Sequence, residues 1–470
     1  MDEAILRRFA ELEARIAAQD AVIAAKDVRI AELEKQVAEL LDRLNRNSGN
    51  SNKPPSSDAP STRAERRAKN KEKSGKKRGG QPGHDGSQRS LVPAEKVDDV
   101  VDHFPDECAN CWAALPKTPD ASAQRYQTTE LPPTKLLVVE HRIHSVTCGC
   151  GHRTTAAFEL PPAFGPRLWS VIALLTGVFH LSRRGAVTLL SDVLGVEISL
   201  GAVSAVEKRV SDALKPAVEE AWQRVEQSTV KHTDGTTWYQ SNAMRALWTI
   251  ASTVATVFKI VATGDAKNLA PLFGSRGGVL VSDRATALRF WAMEMRQVCW
   301  AHLLRKFISF SERGGAAGAL GKELLDYVKI MFAYWDDVKV GKLSRADFRS
   351  SMAPVRKNVE AVLQRAVASK LAHVSGSCAD ILEHRAALWT FVDRDDVEPT
   401  NNHAERELRA FVLWRKRSFG TQSDRGNEFA ERLMTVAHTA RKQKKNVLEF
   451  LVACCTAARE GTKAPSLFAA

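Results

Sequence analysis

Gly278-Val279-Leu280-Val281-Ser282-Asp283 is an apolar run closed by a carboxylate. A short unbroken run of β-branched and aliphatic residues, opened by glycine, fits a strand covered on both faces. Upstream of it the hydrophobic period is two, the spacing that sends alternate side chains to one face of a sheet. Residues 228–232, 246–252 and 256–261 read as three successive strands, and 264–273 as a helix leading into the buried run. Downstream, 296–300 reads as a further short strand and 303–311 as the start of a helix.

Three strands, a helix, then a strand ending in Asp is the order of an RNase H-like α/β core. Two more carboxylates accompany Asp283. Asp234 lies in Val230-Lys231-His232-Thr233-Asp234-Gly235, a β-rich run that places it at a strand end. Glu405 lies in Asn401-Asn402-His403-Ala404-Glu405-Arg406-Glu407-Leu408-Arg409, which reads as the start of a helix. The core so read spans 226–312 and 398–460, interrupted by a helical insertion at 313–397 and followed by a tail at 461–470. Carboxylates at strand ends facing a helical Glu suit a magnesium pair, because hard cations take oxygen ligands. Two such ions roughly 4 Å apart activate an attacking oxygen and stabilise a leaving one. On spacing alone the three acids could be unrelated: Asp234 a turn residue, Asp283 a helix cap, Glu405 a complement to a helix N-terminus. Asp265, Asp393, Asp395, Asp396 and Glu398 are further acids in the same half of the chain.

At 470 residues the chain is long enough for several domains, and 44% hydrophobic residues suffice for real cores. Its formal charge of +13 favours polyanionic partners, with nucleic acid ahead of a membrane surface. Cys108-x-x-Cys111 and Cys148-x-Cys150 flank a strand-like stretch at 135–146. Two Cys pairs joined by β-structure suit a zinc-ribbon-like module over 91–160, with four thiolates around structural Zn²⁺. The second pair has one intervening residue rather than two, and His152 is a substitute ligand. The alternative is a small β-domain with reduced, non-ligating thiols. Cys299, Cys378, Cys454 and Cys455 are scattered in apolar or helical surroundings, which suits a reducing compartment. The acidic start carries no signal peptide, and the apolar stretch 168–181 is too short to span a bilayer. A cytoplasmic location is expected.

Residues 1–46 carry a heptad pattern. Phe9, Ile16, Ile23, Ile30, Val37 and Leu44 fill one seam position; Ile5, Leu12, Leu33 and Leu40 fill the other, interrupted by Gln19 and Lys26. Mostly β-branched residues at the first position and Leu at the second favour a parallel two-stranded coiled coil, hence a homodimer. An amphipathic helix packed on its own protein is the alternative. Residues 47–90 read as a disordered linker that becomes strongly basic and includes Lys76, Lys77 and Arg78. Residues 161–225 are helical. Two short helices about Gly195, the second capped by Ser199, fit a helix-turn-helix in which Ser204, Lys208 and Arg209 would touch DNA.

These stretches resemble the transposases of the insertion-sequence-sixty-six family, in particular their large catalytic subunit, over nearly the whole chain. The resemblance covers the N-terminal coil, the Asn/Ser-rich linker, Arg78-Gly79-Gly80-Gln81-Pro82-Gly83-His84, the Cys pairs and the helix-turn-helix. Its most specific part is the stretch Asn401–Arg409, followed by Arg415-Lys416 and Phe419-Gly420. It implies an Asp-Asp-Glu triad on an RNase H-like fold, transferred position by position to Asp234, Asp283 and Glu405. It also implies small accessory proteins encoded alongside. One departure is Asp234-Gly235-Thr236, where many relatives look like Asp-Glu-Thr. Cys299-Trp300-Ala301-His302 is similar to a Cys-x-x-His motif of several transposase groups. It lacks the ligands for zinc, so packing is favoured, with His302 approaching the site.

The expectation is therefore a multidomain α+β chain acting as a DNA transposase. Asp234 and Asp283 would hold one Mg²⁺ between them and Glu405 would complete a second site, with Mn²⁺ as a substitute. Cleavage at element ends and strand transfer into target DNA would follow. Arg409 lies one turn beyond Glu405, where it would neutralise a phosphate or form an ordinary helix ion pair. Arg415 and Lys416 are further candidates for DNA contact, and His403 is an auxiliary one. Two rivals stay open: an RNase H-like nuclease or resolvase without strand transfer, and a catalytically silent DNA-binding regulator.

Overall fold

The computed structural model describes residues 2–51, 53, 58–61, 64, 90–133 and 135–468. Lys76, Lys77 and Arg78 lie outside the described residues. Two compact units are present, one built from Met1–Ala59 with Ile143–Ala470 and the other from Pro60–Arg142. Among the described residues no helix is long and apolar enough to cross a membrane.

Helix α1 (Glu3–Asn45) runs unbroken for 43 residues, about 65 Å at the α-helical rise. All ten apolar seam residues, from Ile5 to Leu44, are exposed. The chain's own described residues thus leave the stripe uncovered. The polar stretch after α1 is folded at its start, contrary to its linker-like composition. Asn47 N–H donates to Asn50 Oδ1 (2.8 Å), and the Ser48 backbone N–H and hydroxyl both donate to Asp58 (2.7 Å). Asn50 Nδ2 donates to Glu312 Oε2 at 2.7 Å. Short polar side chains here satisfy the backbone themselves, which composition alone does not reveal.

A two-stranded hairpin, β1 (Ser145–Thr147) with β2 (Arg153–Thr155), turns through Cys148-Gly149-Cys150-Gly151. Residues 135–144 form no strand, contrary to the sequence reading. They are exposed and have no ladder partner among the described residues. Next come α2 (Pro166–Ala173), continued by a π-turn through Val178, then α3 (Arg183–Leu194), α4 (Leu200–Ala213) and α5 (Lys215–Glu226). Ser182 and Ser199 cap α3 and α4 through their hydroxyls, and Gly195 closes α3 in the left-handed conformation.

The five-stranded sheet has the order β5-β4-β3-β6-β7. β3 (Val230–Gln240), β4 (Ala243–Ala251) and β5 (Thr256–Val261) are antiparallel neighbours. β6 (Val279–Ser282) runs parallel to β3, and β7 (Arg296–Val298) parallel to β6. β6 is buried on both faces: Val279 and Val281 join one core cluster and Leu280 the other. This is why its sequence is continuously apolar rather than alternating.

Leu280 faces the core that α2–α5 share with α10 (Asn402–Ser418), α11 (Asp424–Lys442) and α12 (Val447–Glu460). Val279 and Val281 face α6 (Trp300–Ser311) and the inserted α7 (Gly315–Lys339), α8 (Arg345–Ala368) and α9 (Ser375–Glu383). The insertion returns to the sheet through Leu388, whose carbonyl accepts from Trp300 Nε1 (2.7 Å) and Gln297 Nε2 (3.2 Å).

Three element readings need correction. β3 does not end near Asp234 but continues to Gln240, because β4 pairs along its full length, with Asp234 opposite Thr249 and Gly235 opposite Trp248. Gly235 is where the Trp248 indole crosses the strand. A Cβ there would lie 2.9–3.0 Å from three ring atoms, so any larger residue at 235 would have to move Trp248. The helix read at 264–273 is a single turn, Ala266–Leu269, then a 3₁₀ turn, Ala270–Phe273, since Pro271 supplies no N–H. α6 begins at Trp300, where its backbone N–H is held by the Pro399 carbonyl (2.9 Å).

Candidate active site

Asp234 sits mid-strand on β3, partly buried, with the Gly235 N–H donating to its Oδ1 at 2.9 Å. Asp283 follows β6, and its Oδ1 accepts from the Ala285 N–H at 2.9 Å, closing a tight turn. Glu405 lies in the first turn of α10. The start of that helix is fixed by Asn401, which is fully buried. Asn401 Nδ2 donates to the Thr233 carbonyl at 2.7 Å, one residue before Asp234. Its backbone N–H donates to Cys299 Sγ at 3.2 Å, just after β7. One side chain and one peptide thus tie the helix bearing Glu405 to β3 and β7.

Asp283 and Glu405 both act on Asp234. The Asp234 carboxyl is pushed up to about 7, first by burial, then by the charge of Asp283 and of Glu405; the Gly235 N–H and then Arg305 oppose them. Glu405 Oε1 is a buried oxygen with no hydrogen-bond partner in the structure. His302 Nδ1 (3.8 Å) and Arg305 Nη2 (3.9 Å), one turn apart on α6, face that oxygen beyond hydrogen-bond range. Carboxylate oxygens whose charges meet at Asp234, one of them with an open lone pair, suit a hard divalent cation. Ligand atoms of Cys299, His302 and Glu405 also lie within 4.8 Å of one another. The Cys299 thiol is buried and pushed up to about 11 by that burial, which keeps it protonated and suits a packing role.

Beside Asp283 opens a cavity of about 490 Å³. Arg46, Arg284, Arg305, Lys306 and Arg313 line it together with His302 and Asp380. Arg284 is ion-paired with Asp380. Beneath Asp283, the fully buried Arg296 donates through Nη2 to the Ser282 hydroxyl (3.2 Å) and the Asp283 carbonyl (3.0 Å). Arg284, Arg296 and Arg305 escaped the sequence reading. Arg305 had a usable signal, since it follows His302 by three residues on one helix and so shares its face.

Glu407 belongs to a separate buried network. His438 Nδ1 (2.5 Å) and Lys442 Nζ (3.1 Å) contact its two oxygens, and Lys442 Nζ also reaches His403 Nε2 (2.7 Å). Burial alone would raise the Glu407 carboxyl, but the His438 hydrogen bond and the Lys442 charge override it and bring it to about 2. His403 stacks on His232 with ring centroids 5.0 Å apart. His403 thus helps clamp α10 to α11 and β3.

The remaining candidates are spread over the surface. Arg409 and Lys416 are exposed on α10. Arg415 is a strut to β3, donating through Nη1 to the hydroxyls of Thr236 (3.1 Å) and Thr237 (2.5 Å). On α4, Ser204 accepts from Arg425 (2.5 Å), Lys208 pairs with Asp212 (2.7 Å), and the Arg209 guanidinium lies 5.6 Å from the Trp169 ring centroid.

The cysteine pairs fall in different units, Cys108 and Cys111 in one, Cys148 and Cys150 in the other. One thiol of each pair is favoured as thiolate. Backbone N–H groups of Asn110 and Cys111, then the Cys111 thiol, lower the Cys108 thiol. The Cys150 N–H and thiol lower Cys148. Such N–H donors to sulfur suit metal-binding knuckles.

The family described as "Transposase IS66 family" matches residues 162–429. A "Family of unknown function (DUF6444)" matches residues 2–90. No curated protein matches the chain.

Proposed function

The chain belongs to the IS66 transposase family, and from that premise we propose that Asp234, Asp283 and Glu405 form the catalytic triad of a metal-dependent DNA strand-cutting and strand-joining enzyme. The observation that carries the reading is the convergence of three sequence-distant acids on one charge field, with an unpartnered buried oxygen on Glu405. The sheet supports it too. Three antiparallel strands followed by two parallel ones, with the first strand central, are the arrangement of an RNase H-like core.

Asp234, Asp283 and Glu405 would hold two Mg²⁺ ions, or Mn²⁺. Bound there, such ions would activate an attacking oxygen and stabilise the leaving one in an in-line phosphodiester displacement. The protein's own residues do the rest. Asn401 fixes the helix carrying Glu405, and His302 with Arg305 steadies that carboxylate from α6. The cationic wall beside Asp283 receives the DNA phosphates and keeps them aligned. The same site cuts at the element end and then joins the freed 3′-hydroxyl to target DNA.

Other parts of the chain would serve assembly. The exposed heptad stripe of α1 supports a coiled-coil homodimer, and each Cys pair offers a thiolate ligand suited to structural Zn²⁺. The capped α3–α4 pair supports a helix-turn-helix, with Lys208 and Arg209 exposed on its second helix. Accessory proteins of the same element remain part of this reading.

The test is a strand-cleavage and joining assay on labelled duplex carrying the element's own end, with Mg²⁺. The unchanged protein is expected to cut and join, and Asp283→Asn to do neither while still binding the duplex. Cutting without joining would replace this reading with a nuclease. Tight binding without cutting, with the neighbouring gene products also added, would replace it with a silent regulator.

A further inference from the structure

Phe419 closes α10 in the left-handed conformation, with φ 58° and ψ 15°, and the residue is 78% exposed. A bulky non-glycine residue rarely adopts that backbone, and such strain clusters at functional positions. The strain is held in place rather than tolerated by a loose loop. The Thr421 N–H donates to the Tyr239 carbonyl (2.9 Å), and the Ser241 N–H donates to the Thr421 carbonyl (2.7 Å). Gly420, with φ 104°, passes so close to β3 that a Cβ would run into the Tyr239 carbonyl oxygen. The loop is thereby bridged to the end of the strand that carries Asp234.

A second exposed ring stands at the same end of α10. Phe179 is 55% exposed, and its carbonyl accepts from Arg417 Nη1 at 3.5 Å. The next residue, His180, is also left-handed and stacks on Trp414 with centroids 5.2 Å apart. Among the described residues neither phenylalanine ring contacts another ring. Lys416 and Arg417 are exposed beside them, and Asp424 is engaged by Gln240 Nε2 (2.8 Å). A rigidly presented aromatic with a cationic rim matches a nucleobase, which offers a π-face attached to a phosphate.

We infer that Phe419 is a DNA-stacking residue, gripping a base of the element end away from the cut. This rests on the transposase reading above. At about 1.5 Å per residue, Phe419 lies roughly 20 Å along α10 from Glu405. A duplex following the helix would present a base about six steps from the cleaved phosphate. There the ring wedges into the stack or takes up an unpaired base.

The test uses the full chain carrying Asp283→Asn, so that DNA stays uncut, and element-end duplexes with a fluorescent adenine analogue placed at successive steps. A second set of duplexes leaves the bases around the sixth step unpaired. The expected result is a fluorescence change confined to that neighbourhood, abolished by Phe419→Gly and kept by Phe419→Trp. The duplex in which it is larger distinguishes a wedge from a grip on an unpaired base. Phe419→Gly should weaken binding by roughly 5- to 150-fold, the span that base–aromatic stacking provides. Its unfolding temperature should equal or exceed that of the parent, because glycine accepts the left-handed backbone.

Unchanged affinity and fluorescence in Phe419→Gly would overturn the inference and leave the triad untouched. Unchanged DNA binding with an altered oligomeric state would overturn it in favour of a contact between copies. A parent protein that binds no element-end DNA would overturn the transposase reading itself.

Discussion

Asp234→Asn is expected to unfold at a higher temperature than the unchanged protein in metal-free buffer near pH 8, and to cut no DNA once Mg²⁺ is supplied. The first half follows from the crowding of like charge. Unfolded, the Asp234 carboxyl has its ordinary value of 3.8; folded, burial and then the charges of Asp283 and Glu405 push it up to about 7. The folded protein therefore holds the proton more tightly than the unfolded chain. Stability is unaffected below the ordinary value, falls as pH rises from there through about 7, and is reduced in full above it. An amide removes that cost, so the gain from Asp234→Asn should be clear near pH 8 and small near pH 4.

Mg²⁺ reverses the ranking. A cation that binds only the folded state stabilises it, and the unchanged protein should gain more from Mg²⁺ than Asp234→Asn does. Cleavage should fall by at least about a thousandfold, because a metal-held triad works as a unit and losing one member removes most of its effect. Thermal unfolding at the two pH values, with chelator and with Mg²⁺, checks the stability half. An equal shift at both pH values, or retained cleavage, would contradict it.

Asn401→Leu is the second change with a large expected effect, and it separates fold from chemistry. The side chain is fully buried, and its Nδ2 holds the Thr233 carbonyl at 2.7 Å. Leucine of similar size fills the space but leaves that carbonyl unpaired, at a cost of about 1–3 kcal/mol. It also frees the start of α10 from β3. Displacing Glu405 by as little as about 1 Å would slow cleavage by roughly a hundredfold. DNA affinity should change little, since Asn401 is not among the side chains proposed to touch DNA. Denaturant unfolding and cleavage per folded molecule measure the two effects separately. Lost stability with unchanged cleavage would reduce Asn401 to a purely structural tie.

Much of the core was legible because burial writes a plain pattern. β6 is covered on both faces, so its sequence is continuously apolar and the carboxylate that ends it stands out. β3 was harder. Gly235 breaks the strand pattern just after Asp234, yet Trp238 is fully buried and β4 pairs along the strand to Gln240. Cross-strand pairing carries the strand past the glycine into the β-forming Thr236-Thr237-Trp238 run. The acids could be picked out, but their supports could not. Arg296 and Arg305 gain meaning only when strands and helices remote in sequence meet. The fold likewise gives internal partners to residues that looked free for DNA: Ser204 is hydrogen-bonded by Arg425, and Arg415 is spent on Thr236 and Thr237. Asn47, Ser48 and Asn50 were misleading in the opposite direction, since their linker-like composition hides a turn held by Asp58 and Glu312.

The central claim is that Asp234, Asp283 and Glu405 together bind the divalent cations. Anomalous diffraction from crystals of the full chain soaked in Mn²⁺ tests it most directly. The account predicts anomalous density bounded by these three carboxylates, and its loss in Asp283→Asn. Density on Cys299 and His302 away from Asp234, or none near the triad under conditions that support cleavage, would contradict it.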